Sequence, residues 1–363
     1  MNMSKSAKTL TIIIFILIVF GLIMLSSAGV VDGQKRFGSS YYYFTHQLLY
    51  GVFPGLFLFF IFSKIDYKFW KKIALPLMIA VTGLLVLVFM PGIGYGLKGA
   101  QRWIDLRFFT FQPSEILKLI LIIYLAAWFS RREGRIDHGP QSVIPFFIVL
   151  SFIGALLLMQ PDLGTLALVV LIAMSLYFFA GVKLTHFLIL ILILGILLGA
   201  MAIVSPYRLN RLKTFLNPEV DKQGISYHVN QAMIGIGSGG LFGLGFGQSR
   251  QKFNYLPEPV GDSIFAIVVE ELGFVGGMFL VGLFVFLALT LASVARNASS
   301  FGRLFIMGIA VWISGQAFIN IMAISGFIPL TGLPLPFISF GSSSLVSILA
   351  GLGIVLNVAR RNG

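Results

Sequence analysis

Four carboxylates crowd one apolar stretch, LPEPVGDSIFAIVVEELGFVGG at residues 256–277: Glu258, Asp262, Glu270 and Glu271. Between Pro257 and Gly277 there is no lysine or arginine to balance them. An aspartate where a helix begins most often serves as a cap, and Asp262 stands where the apolar run starts. Counting 100° per residue, Glu270 lies about 80° around from Asp262 and ~12 Å deeper, while Glu271 faces nearly the opposite way. The two glutamates are therefore expected to brace neighbouring helices or loops. Asp262, at the water boundary, is the carboxylate left for chemistry, with its counter-charge expected from other helices and from the substrate.

Other ionisable groups fall at similar boundaries. In FQPSEILKLI, Pro113 suits a first helical position, so Glu115 sits in the first turn and Lys118 follows on the same face as an ion pair. The plainer reading is that Glu115 complements the helix dipole and Lys118 neutralises it. In MQPDLGT, Asp162 opens another helix and reads as a first-turn carboxylate. With Arg102, Glu258 and the loop cations Arg208, Arg211, Lys213, Arg250 and Lys252, these groups are expected on one side of a membrane. A carboxylate base and several cations suit displacement of a diphosphate: the base takes a proton from an attacking hydroxyl and the cations stabilise the departing charge. That side has no ATP, so the substrate must arrive already activated, and a lipid-linked one is natural. Glycosyl transfer fits better than hydrolysis. No Ser-His-Asp arrangement is suggested, and four histidines in separate segments give no HExxH-like spacing.

The elements that position these groups are apolar. Of 363 residues, 58% are hydrophobic and 11% charged, with mean hydropathy +0.96, far from the soluble norm. Forty glycines and 36 phenylalanines fit close helix packing and lipid-facing surfaces. The net charge of +13 is scattered among loops, which argues against a nucleic-acid partner. Runs long enough to cross ~30 Å of hydrocarbon lie at residues 10–28, 46–62, 73–90, 114–129, 143–159, 163–180, 186–204, 263–292, 304–325 and 342–358. The reading is an all-α polytopic membrane protein, one domain over residues 1–363 with about ten spans. A long outer loop, about residues 205–262, joins the seventh span to the eighth. The first run exceeds a signal-peptide core and is read as a span. Lysines and arginines such as Lys64, Lys68, Lys71, Lys72, Arg131, Arg132 and Arg135 collect on the side of both termini, which puts both ends in the cytoplasm. Within the loop, residues 227–236 read as an amphipathic stretch. Glycines 235, 237, 239 and 240 lack the βαβ setting of a nucleotide site, so they are expected to let the loop turn tightly against helix ends.

Several motifs in order resemble the SEDS family (shape, elongation, division and sporulation), which includes FtsW, RodA and SpoVE. They are KGAQRW at 98–103, FQPSEILK at 111–118, QPDLGT at 160–165, GSGGLFGLGFGQSRQKFNYLPE at 237–258, DSIFAIVVEELGFVGG at 262–277 and GFIPLTGLPLPFISFGSSS at 326–344. The resemblance covers almost the whole chain. It implies a ten-helix protein of the bacterial cytoplasmic membrane that polymerises lipid II into glycan strands, beside a class B penicillin-binding protein and other divisome or elongasome proteins. It implies Asp262 as catalytic base, Glu115 and Lys118 as an intramembrane pair, Arg102 as an outer-loop arginine, and Asp162 and Glu258 as supporting acids. One departure matters: where relatives commonly read PEAHTDFIFA, this chain has PEPVGDSIFA, so Val260, Gly261 and Ser263 replace His, Thr and Phe. Ser342 likewise replaces a glycine. GQSRQKFNYLPE is closer to the FtsW and SpoVE form than to the RodA form.

Two other functions compete: a lipid II flippase, which needs a polar route from both faces, and a scaffold that only holds the transpeptidase. RodA-type elongation is the alternative to a division role. No spacing demands a metal site, although carboxylates near a diphosphate could hold Mg²⁺ or Mn²⁺.

Overall fold

Long apolar runs become helices because a bilayer leaves no other way to satisfy each backbone N–H and C=O within one segment. The computed structural model describes residues 5–97, 100–105, 110–132, 140–181, 215 and 225–361. In chain order its helices are α1 (Lys5–Ala28), α2 (Val30–Phe37), α3 (Tyr42–Gln47), α4 (Phe53–Phe62), α5 (Tyr67–Lys72), α6 (Ala74–Leu87), α7 (Pro113–Ser130), α8 (Pro140–Met159), α9 (Leu163–Phe179), α10 (Ile225–Ser238), α11 (Ile264–Arg296), α12 (Ser300–Ile324) and α13 (Ser342–Arg361). Six segments among the described residues are long and apolar enough to cross a membrane: α1, Tyr42–Phe62, α7, α11, α12 and α13. Shorter apolar helices stand at Ala74–Leu87, Phe146–Met159 and Leu163–Phe179. The expected run at 186–204 and the cations Arg208, Arg211 and Lys213 lie outside the described residues.

Three departures from the expected all-α pattern bear on the site. Residues between α6 and α7 form a small antiparallel sheet, β1 (Gly94–Leu97), β2 (Ala100–Asp105) and β3 (Thr110–Phe111), in the order β1-β2-β3. Arg102 therefore stands on a strand. Between α3 and α4 the residues Leu48–Val52 make a π-helical turn in which the Phe53 N–H reaches back to the Leu48 carbonyl. Pro54 follows and has no N–H for an ordinary ladder.

The third departure is a break in α11 at Gly273, whose φ of 71° and ψ of −173° belong to a region that only glycine occupies readily. The glycine-rich segment after α10 fills the break. Phe274 and Val275 donate their N–H groups to the carbonyls of Gly240 and Leu241 at 2.9 and 3.1 Å. In return, Leu244 and Gly245 donate to the carbonyls of Glu270 and Glu271 at 2.9 and 3.0 Å. The broken ladder is thus satisfied by protein, as non-helical backbone at membrane depth requires. A side chain at Gly243 would stand 2.2 Å from the Glu271 carbonyl, so the contact needs glycine. Tight turning against a helix, expected of glycines 235, 237, 239 and 240, holds for Gly239 and Gly240, whereas Gly235 and Gly237 lie inside α10.

Packing completes the frame. α13 lies against α4, α11 against α12 and α1, and α7 against α6 and α12. Residues facing the interior, among them Trp312, Tyr177, Phe59, Phe284 and Phe305, are fully buried. Large side chains such as Phe57, Ile79, Phe274 and Leu289 stay outside, the arrangement of a protein solvated by lipid. The segment 326–341 between α12 and α13 folds back into the bundle, with Leu333, Leu335, Phe337 and Ile338 buried.

Candidate active site

Asp262 stands just before α11 rather than capping it. The carbonyl of Glu258 accepts the N–H groups of Gly261 and Ser263 at 3.0 and 3.3 Å, which winds residues 258–263 into a turn and delays the helix to Ile264. Ser263 occupies the cap position, without a side-chain capping bond. Freed from capping, the Asp262 carboxylate remains partly exposed at 16%. Its backbone is fixed from the interior: Asn320 of α12 donates through Nδ2 to the carbonyls of Asp262 and Leu333, both at 2.7 Å. Ser339 donates to the Gly261 carbonyl at 2.6 Å and the Phe340 N–H to that of Val260 at 2.8 Å. The folded-back segment 326–341 therefore forms the floor under Asp262.

The same segment reaches the other candidates. Lys118, fully buried, has Nζ 2.8 Å from both oxygens of Glu115 and 3.0 Å from Gln316 Oε1, and lies 5.3 Å from the centre of the Trp312 ring. Gln316 passes the connection on by donating to the Pro334 carbonyl at 2.8 Å. Asp162 caps α9, its Oδ1 accepting the Thr165 N–H at 3.2 Å, as expected of a first-turn carboxylate. It is also 3.8 Å from Arg102 Nη1, and Arg102 donates to the carbonyls of Gln160 and Pro161. At Gly164 a side chain would meet the Thr331 carbonyl at 2.5 Å, so α9 abuts segment 326–341 as well. Glu115 with Lys118, Arg102 with Asp162, and Asp262 with Glu258 are three local groups, and segment 326–341 ties them together.

The deep glutamates hold the segment that follows α10. Glu270 Oε1 accepts the N–H groups of Arg250 and Gln251 at 2.9 and 3.3 Å, and its Oε2 accepts from Ser249 Oγ at 2.5 Å. Glu271 pairs with Lys252 at 2.9 Å and accepts from Ser27 Oγ of α1 at 2.6 Å. This corrects two expectations. The missing cation comes from the loop itself and not from another helix, and Lys252, although it borders a cavity together with Glu258, is buried and engaged in that pair.

At the turn that precedes Asp262 opens a cavity of ≈ 280 Å³ whose lining includes Lys35, Arg36, Tyr227, Lys252, Tyr255 and Glu258. Glu258 adopts φ 48°, and its carboxylate lies over Gly261, next to the aspartate. Three cations, two phenols and the carboxylates of Asp32 and Glu258 line a pocket able to take a sugar and an anionic group, with Arg36 paired to Asp32 at 2.7 Å. Sequence reasoning missed the cations of α2, and also His228 of α10, whose Nε2 is 3.9 Å from Asp262 Oδ1. Nothing in the spacing points to a histidine 34 residues upstream of Asp262; only the docking of α10 on α11 brings it there.

Comparison with known proteins decides the family. A family model for FtsW, RodA and SpoVE, described as a cell cycle protein, matches residues 8–363. The chain belongs to this family. Among FtsW/RodA/SpoVE relatives, the probable peptidoglycan glycosyltransferase FtsW of Coxiella burnetii is 38% identical, covering 94% of this chain and 93% of its own. Stage V sporulation protein E of Bacillus subtilis is 39% identical over 97% and 96%. A solved peptidoglycan synthase complex, described as coordinating polymerization and crosslinking, contains a chain superposing with TM-score 0.80 at 29% identity, with 97% of each chain covered. The rod shape determining protein RodA of Thermus thermophilus superposes with TM-score 0.72 at 28% identity, over 97% and 96%. The FtsW/RodA/SpoVE fold thus extends over nearly the full length of the chain.

Proposed function

We propose that this chain is a peptidoglycan glycosyltransferase that polymerises lipid II at the outer face of the bacterial cytoplasmic membrane. The observation that carries the reading is the Asp262 carboxylate, fixed by its backbone and partly open on the turn whose Glu258 lines a pocket together with cations and phenols. Asp262 takes the proton of the acceptor's sugar 4-hydroxyl, and that oxygen bonds to the anomeric carbon of the donor. The bond from that carbon to the diphosphate oxygen breaks, and undecaprenyl diphosphate leaves with the electron pair. Lys35 and Arg36 line the pocket together with Lys252, which is held by Glu271, and Arg250 is exposed on the loop. Buried Glu115 and Lys118 set the floor through Gln316, and Arg102 with Asp162 anchors the start of α9.

The membrane frame of this reading has ten spans in one domain, both termini cytoplasmic and an outer loop between the seventh and eighth. A transpeptidase of the class B penicillin-binding type is the partner, by analogy with the solved synthase complex. The division role is favoured over elongation by the FtsW and sporulation relatives. Among the described residues no three acidic or histidine side chains cluster. Mg²⁺ or Mn²⁺ would therefore be shared between Asp262 or Glu258 and the substrate diphosphate, supplying positive charge to the leaving group. The test is glycan synthesis from lipid II by the purified chain, with and without a candidate transpeptidase and chelator. Polymer that depends on this chain supports the reading; lipid II crossing liposome membranes without polymer would favour a flippase.

A further inference from the structure

His228 of α10 approaches the Asp262 carboxylate, and its proton can be placed. Ser263 Oγ carries one hydrogen, which it donates to the Pro257 carbonyl at 2.8 Å. The same Oγ makes a short contact with His228 Nε2. With its only hydrogen committed, Oγ is the acceptor there, so Nε2 carries the proton. That N–H lies 3.9 Å from Asp262 Oδ1, with the two side chains 19% and 16% exposed. The other carboxylate oxygen, Oδ2, faces elsewhere: it is 4.0 Å from where a side chain at Gly332 of segment 326–341 would begin. The two oxygens of one carboxylate therefore see different surroundings.

We propose that His228 is a positioning residue for the base, its Nε2–H turning from Ser263 Oγ to Asp262 Oδ1 when substrate is bound. The movement needed is about 1 Å, from 3.9 Å to an ordinary hydrogen-bond distance. A donor on Oδ1 fixes the plane of the carboxylate and leaves Oδ2 to take the proton from the acceptor hydroxyl. Ser263 holds the imidazole in the correct tautomer until then. Glycosyl transfer itself is unchanged: the proton passes from hydroxyl to Oδ2, and His228 keeps its own. This inference rests on Asp262 acting as base.

The experiment compares His228→Gln, which keeps an N–H donor of similar reach, with His228→Met, which matches the size and has none. Both are measured as full-length protein with a candidate transpeptidase on lipid II, alongside wild type and Asp262→Ala. The expected result is a roughly 10- to 100-fold fall in kcat for Met, the scale of a hydrogen bond to a charged group. KM for lipid II stays within about twofold, and Gln recovers most of the loss. Wild-type kcat in the Met variant, equal losses in Met and Gln, or a loss confined to KM would overturn the proposal. Should the Met variant fold poorly, Gln alone decides: a loss as deep as that of Asp262→Ala overturns it, and retention of about a third of kcat or more supports it. If Asp262→Ala polymerises normally, the glycosyltransferase mechanism fails instead.

Discussion

Lys252→Met separates two roles for one lysine. Were its ammonium there to neutralise a departing diphosphate, the variant would lose turnover and keep its stability. The geometry argues for the opposite. Nζ lies 2.9 Å from Glu271 Oε1, 3.0 Å from Ser27 Oγ and 2.7 Å from the Gly247 carbonyl. The Lys252 and Glu271 side chains are 4% and 0% exposed. Deleting the ammonium strands a buried carboxylate on the Ser27 hydroxyl and the Ser249 N–H. Breaking a buried pair in this way costs about 3–5 kcal/mol. At roughly 2–4 °C per kcal/mol, the melting temperature in detergent should fall by roughly 6–20 °C. Adding Glu271→Gln removes the stranded charge and keeps the shape, so the double variant should regain about half the loss or more. Thermal melts of wild type, the single variant and the double variant decide it. A single variant that melts like wild type, or a double variant no more stable than the single, refutes the reasoning.

Three further outcomes follow from the same contacts. Gly273→Ala places a Cβ 2.3 Å from the Gly243 nitrogen in a backbone region that costs a side chain about 1–3 kcal/mol; melts should drop by several degrees, with limited proteolysis showing residues 239–249 released. Asn320→Leu leaves the carbonyls of Asp262 and Leu333 without their donor, so polymerisation should fall more than about tenfold while the protein still reaches the membrane. Lys118→Met should destabilise by about 3–5 kcal/mol, because Glu115 is left buried without its cation, and thermal melts should show partial recovery on adding Glu115→Gln.

How much of this was legible depends on the range of the interaction. Pro113, Glu115 and Lys118 are close in sequence, and a helix of known pitch dictates that the pair forms. The cap at Asp162 is equally local. The apolar runs announce their helices because the lipid imposes length and composition together. Gly273 was not legible as a break, since glycine is common inside membrane helices and LGFVGG continues the apolar pattern. What opens the helix is a loop 30 residues earlier in the chain, and only tertiary contact reveals it. Lys252 looked like one loop cation among several until folding placed it against Glu271. The histidine expected just before Asp262 is absent from that position, yet α10 carries His228 to the same carboxylate. The sheet at 94–111 escaped notice because its strands are too short to show a period.

The central claim is that the Asp262 carboxylate is the base of glycan synthesis. Its most direct test is the rate of polymer formation from lipid II by Asp262→Asn, which preserves shape and removes the negative charge together with the capacity to take a proton. Loss of general-base catalysis predicts a rate roughly 10²- to 10⁴-fold below wild type, with the melting temperature and binding of the transpeptidase unchanged. Polymer made at close to the wild-type rate by that variant would contradict the account.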